Sequence, residues 1–230
     1  ELFTDYIEDL QDVYVDKLMH MGKGYLNEKY SRRITITPDN SNGVLEVKTY
    51  IELSMYIPQE SNKNQYTYTQ KFRTEEEAHT LKITECHLNG RTVDCKEPEI
   101  YRDEKNKISP FYREIVLDFN KGKTNDLVLQ STYSYILGGE TSFFEIYYVA
   151  DACNKYVFEV QLSGEDASSW NVHAVWSEEK QSNNEGKSLG YDNDPNLGKA
   201  NSVSISTKDG RWVMEGTAIN LYVRKVSDDD

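Results

Sequence analysis

Between Val44 and Ile57 the side chains alternate: Leu45, Val47, Thr49, Ile51, Leu53, Met55 and Ile57 fall on one side, and Glu46, Lys48, Glu52 and Ser54 on the other. A period of two is the repeat of a pleated strand, and a helix with its longer period cannot sort residues this way. One covered face and one wet face is the pattern of an antiparallel sheet, because strands of parallel sheets are usually apolar on both sides.

The same alternation returns at Ile115, Leu117 and Phe119, at Leu127, Leu129 and Tyr133, and at Tyr156, Phe158, Val160 and Leu162. It recurs at Trp170, Val172, Ala174 and Trp176 and at Ile219, Leu221 and Val223. Asn89-Gly90 and Asp209-Gly210 sit between such runs and favour the positive φ angles of tight hairpins. Gly138-Gly139 and the segment 120–125 read as further strand connections. About a dozen strands joined by local hairpins, without helical crossovers, predict an all-β fold. Two sheets packed face to face would cover so many one-faced strands, giving an antiparallel β-sandwich over residues 30–226, with a closed barrel as the alternative. Two sub-sandwiches meeting near 138–142 are a variant, but no Pro- or Ser-rich linker interrupts the rhythm there.

Residues 1–29 read differently. Phe3, Ile7, Leu10, Tyr14, Leu18 and Met21 recur at steps of three or four, and Gly22 and Gly24 follow, which predicts an amphipathic helix and a connector. Its apolar stripe would pack on the domain, lead to an upstream segment, or pair with a second copy of the chain. The chain begins at Glu1 rather than Met, so a module of a longer protein is expected. No run approaches the ~20 apolar residues of a membrane span.

A net charge of −13, with acidic runs at Glu75, Glu76 and Glu77 and in the tail 227–230, disfavours generic nucleic-acid binding; these runs are expected to solvate the surface. Three cysteines cannot all pair. Cys86, Cys95 and Cys153 fit a reducing, cytoplasmic setting, whereas a Cys86–Cys95 bridge would go with an extracellular one.

Phosphate loops, nucleophile elbows and Cys-x-x-Cys pairs are absent from the sequence, so an enzyme would need a site assembled from strand ends. Cys153 and His173 could form a thiol and base only by meeting in space, and a buried thiol is the simpler reading. Glu145 and Glu159 are paired carboxylates without an assigned role. Asp192, Asp194 and Asn196 space oxygen ligands as calcium loops do, but the glycine and glutamate that such a loop needs are missing. No cofactor is implied.

The 17 tyrosines are the most suggestive feature, since Tyr offers broad contact area with a polar tip. Tyr50, Tyr56, Tyr66, Tyr68 and Tyr191 are expected to form an outward aromatic surface, with Arg32 and Arg33 able to hold an anion. The function expected from these features is a non-catalytic recognition or sensor module that binds a protein partner or small ligand. A sensor for a small anion or signalling nucleotide is the alternative.

Overall fold

The computed structural model describes residues 26–61, 64–95, 99–107, 109–149, 153–177, 201–207, 213 and 217–226. The expected N-terminal helix, Tyr191, the calcium-like loop at Asp192, Asp194 and Asn196, and the Asp209-Gly210 turn lie outside them. Among the described residues no helix is long and apolar enough to cross a membrane.

The described residues are mostly β. Its strands are β1 (Leu26–Asp39), β2 (Val44–Ile57), β3 (Gln65–Phe72), β4 (Lys82–Leu88), β5 (Arg91–Thr92), β6 (Ile100–Arg102) and β7 (Phe111–Asp118). They continue as β8 (Lys123–Ile136), β9 (Ser142–Tyr148), β10 (Cys153–Leu162), β11 (Trp170–Ser177), β12 (Ser202–Ser206) and β13 (Ala218–Lys225). A one-turn helix α1 (Glu75–His79) joins β3 to β4, and a 3-10 turn (Glu165–Ser169) joins β10 to β11. The first strand thus starts four residues before the expected domain boundary at 30.

Seven strands form one sheet in the order β12-β10-β1-β2-β8-β4-β5, and two smaller sheets run β11-β13-β9 and β3-β7-β6. Every residue from Leu45 to Ile57 on the apolar side of β2 is buried, Thr49 included. The two small sheets share that face of the large one. Phe143, Tyr147, Val172, Leu221 and Val223 join Ile34, Ile36, Leu45 and Val47 in one apolar cluster. Tyr68, Ile115 and Leu117 join Ile51, Leu53, Met55 and Leu127 in another.

Three expectations are corrected. The β1–β10 pair is parallel, from Asn27 opposite Cys153 to Ile36 opposite Leu162, so the sheet is mixed rather than antiparallel throughout. Nor do local hairpins make all the connections: the turns at Gly138-Gly139 and at 119–122 carry the chain from one sheet to another, as does α1. In the acidic run of α1, Glu75 and Glu76 are exposed but Glu77 is fully buried. Its carboxylate accepts from Arg73 Nη2, Arg73 N–H and Ile136 N–H at 2.9, 2.9 and 2.8 Å, a set of donors that only the folded chain assembles.

Candidate binding cleft

Where the two small sheets part, a cleft of about 920 Å³ opens onto the large sheet. Its walls are β3 and β9, each the outermost strand of its own small sheet. Its floor comes from Tyr30 and Arg32 of β1, Tyr135 of β8, and Cys153 and Tyr156 of β10. Directly beneath this division the covered face of the large sheet turns polar: Thr49 and Ser131 lie opposite each other, both buried, between the two apolar clusters.

A hydrogen-bonded seam fills this polar zone. Tyr68 and Ser131 share a hydroxyl hydrogen bond at 3.0 Å, and Gln70 Nε2 donates to Tyr135 Oη and to Glu145 Oε1, each at 3.0 Å. Tyr147 donates its hydroxyl to Glu145. Burial pushes the Glu145 carboxyl above the usual carboxylate range, while the hydrogen bonds from Tyr147 and Gln70 and the field of Arg32 pull it back. Burial also pushes the phenols of Tyr133, Tyr135 and Tyr147 up, with the Glu145 charge adding to it, so they remain neutral hydroxyls.

Arg32 is the unusual member. It stands in a row of the covered face between Phe158 and Ile51. Only 9% of it is exposed, yet its Nε has no hydrogen-bond partner and no carboxylate lies within ion-pair distance of it among the described residues. Its guanidinium sits 4.7 Å from the ring centre of Tyr147 and 5.9 Å from that of Tyr68. Aromatic faces attract a cation but leave its N–H groups without acceptors. Two further orphaned buried atoms, Asn27 Oδ1 and Arg73 Nε, belong to residues that line the same cleft. An arginine of this kind can take a carboxylate or phosphate through two parallel N–H groups.

The structure brings together some of the residues named from sequence. Arg32, Tyr66 and Tyr68 line the cleft. Tyr68, however, is 2% exposed, and Tyr66 is half-buried and stacks on Phe119 at 5.7 Å, so these two face inward instead of forming an outward row. Tyr50 lies on the other face of the large sheet, with the Arg33 guanidinium 5.9 Å from its ring centre, and Arg33 pairs with Glu159 at 3.1 Å. Tyr56 alternates with the buried Met55 and Ile57 and points away from the cleft. Gln70 of β3, Tyr135 of β8, and Glu145 and Tyr147 of β9 were not singled out as ligand groups, because they come from three separate stretches of sequence and only the fold joins them. One signal was present: Thr49 and Ser131 interrupt otherwise apolar alternations and mark where the cover changes.

Among the described residues no thiol and base converge. Cys153 is fully buried, donates to Lys155 O at 3.2 Å, and is pushed up to about 12 by burial. His173 instead lies on β11 beside the Tyr222 ring. Cys86 and Cys95 are free thiols, and Cys86 is pushed up to about 12 by burial and by its neighbour Cys95. Among the described residues no group of three or more His, Cys, Asp or Glu could hold a metal.

No family model matches this chain, and no curated protein matches it significantly. Solved structures similar to it include a candidate protease of Parabacteroides distasonis, at 11% identity and a TM-score of 0.40, over 90% of this chain and 37% of that one. A candidate nutrient binding protein of Legionella pneumophila aligns at 11% identity and a TM-score of 0.36, over 64% of this chain and 52% of that one. Leukotriene A4 hydrolase of Saccharomyces cerevisiae aligns at 5% identity and a TM-score of 0.37, over 84% and 29%. The chain thus spans 29–52% of the length of these proteins, and likeness at this level defines no activity for it.

Proposed function

We propose that this chain is a non-catalytic recognition module, a two-layer β-sandwich whose divided layer admits an oxyanion-bearing ligand onto Arg32. The observation that supports it most is a guanidinium in the covered face of a sheet, with aromatic rings around it, an Nε that has no hydrogen-bond partner, and no carboxylate within ion-pair distance among the described residues. Burying an unpaired cation costs stability, and proteins retain such groups where a partner supplies the missing charge. A carboxylate or phosphate entering between β3 and β9 would complete the hydrogen bonding of Arg32, with Tyr30 and Tyr147 beside it. The carboxylate of Glu145 is already engaged by Gln70 and Tyr147 and leaves Arg32 to the ligand.

The test is a thermal-shift and calorimetric titration with glutarate, inorganic phosphate and a nucleotide panel on the wild-type chain and on Arg32→Met. The wild type is expected to be stabilised by at least one of these oxyanions, as binding to the native state requires. Arg32→Met is expected to lose that response while unfolding at a higher temperature without ligand, by about 1 kcal/mol, because an apolar side chain replaces a buried unpaired charge. No shift with any oxyanion at millimolar concentration, together with a destabilised Arg32→Met, would mean that Arg32 is only a structural residue.

A further inference from the structure

Two strand edges face each other across the cleft, and their registers show which backbone groups they leave open. Phe119 N–H donates to Asn64 O at 2.6 Å, which in the β3–β7 register makes Tyr66, Tyr68, Gln70 and Phe72 the residues whose backbones pair with β7. The N–H and C=O groups of Thr67, Thr69 and Lys71 therefore point into the gap, with Lys71 O accepting from the Gln70 side chain. Across from them, Val149 N–H donates to Thr217 O at 2.8 Å and Lys225 N–H to Thr141 O at 2.7 Å. Phe143, Glu145 and Tyr147 thus pair with β13, and the backbones of Ser142, Phe144, Ile146 and Tyr148 face the gap.

Edges of this kind are normally blunted by outward charge, proline or brevity. On β9 the outward side chains after Ser142 are instead large and mostly apolar: Phe144 is 46% exposed, Ile146 39% and Tyr148 65%. The one charge of the strand, Glu145, points inward and is held by Gln70 and Tyr147. The inward side chains of Gln70 and Glu145 meet at 3.0 Å across the gap, and a strand added to β9 would lie ~5 Å from it. Below the middle of that opening lies Arg32, against Tyr68 of one wall and Tyr147 of the other.

We propose that the cleft binds an extended acidic peptide as an added strand on β9, with one inward carboxylate of the peptide on Arg32. The proposal rests on the reading of the cleft as an oxyanion site and names the class of ligand that carries the oxyanion. Strand addition satisfies the open backbone groups of Phe144, Ile146 and Tyr148, and successive residues of the ligand meet the interior and the exposed apolar row in turn. The charged residues that line the cleft are Arg32, Lys71, Arg73 and Glu145. Arg73 is already paired with Glu77 and Glu140, and Glu145 is held by Gln70 and Tyr147, so Arg32 and Lys71 carry the local charge that favours an acidic occupant.

The probe is acetyl-Val-Thr-Val-Glu-Val-Thr-Val-amide, titrated calorimetrically into the whole chain, with amide hydrogen exchange read at Phe144, Ile146 and Tyr148. Binding with slowed exchange at these amides is expected. It should weaken by about tenfold or more when the central Glu is replaced by Gln, or when alternate peptide nitrogens of the probe are methylated. In Ile146→Pro only an outward N–H is removed, so the peptide is expected to be lost while glutarate or phosphate still binds; the methylated probe gives the same answer on the unaltered chain. Glutarate or phosphate binding without peptide binding would overturn the added strand and leave the oxyanion site standing, whereas silence of all ligands would overturn both. Equal binding of the methylated probe would also overturn strand pairing, as would a dimer of the chain that Ile146→Pro dissociates.

Discussion

Glu145 and Glu77 show how much the surroundings of a carboxylate decide. Glu145 lies in the polar seam with burial raising its pKa above the usual range. A raised acid binds more protons folded than unfolded, so its contribution to stability is present below the unfolded value of ~4.3 and is lost as pH rises through the folded value. Glu145→Gln is therefore expected to flatten the pH dependence of the melting temperature above pH ~4.3 and to raise stability at neutral pH, which melts across a pH series will measure. Glu77 receives three hydrogen bonds, two of them from backbone N–H groups. Removing its carboxylate strands those donors and Arg73, so Glu77→Ala is expected to cost about 3–5 kcal/mol in urea denaturation, although Arg73 keeps its pair with Glu140.

At the scale of elements, the hairpin β4–β5 depends on its turn. Asn89 and Gly90 both have positive φ, 54° and 74°, as a tight two-residue turn requires. A Cβ at Gly90 would meet nothing within 4 Å, so Gly90→Ala carries only a conformational penalty, expected at about 1 kcal/mol in the same denaturation assay. This turn was legible in sequence because its chemistry is local, and so was β2, whose alternation reports burial directly. The parallel β1–β10 pairing was not: Tyr156, Phe158, Val160 and Leu162 alternate identically whichever way the neighbouring strand runs. The cleft was half legible. Arg32 and Tyr68 were named, but they adjoin only because β1 lies under the edge of β3, whereas Arg33 and Tyr50 are placed on the far face by the same two-residue period.

For the whole molecule, the β1–β10 ladder ties residues 27–36 to residues 153–162, and the larger apolar cluster mixes side chains from before and after Gly138-Gly139. The smaller cluster shares β2 and β8 with it, since both strands run unbroken through the two. Separate unfolding of either cluster would expose half of two strands whose other halves stay paired, so the described residues are expected to unfold as one cooperative unit. Buried thiols test this without added labels: Cys86 belongs to the smaller cluster and Cys153 to the larger. Burial leaves both unreactive in the native state, with Cys86 and Cys153 each pushed up to about 12. Pulsed alkylation read by mass spectrometry through a urea series is expected to show both thiols becoming reactive at one midpoint. Earlier exposure of Cys86 would assign the smaller cluster to a separate unit, and the wall that β3 gives the cleft would then open independently of Arg32.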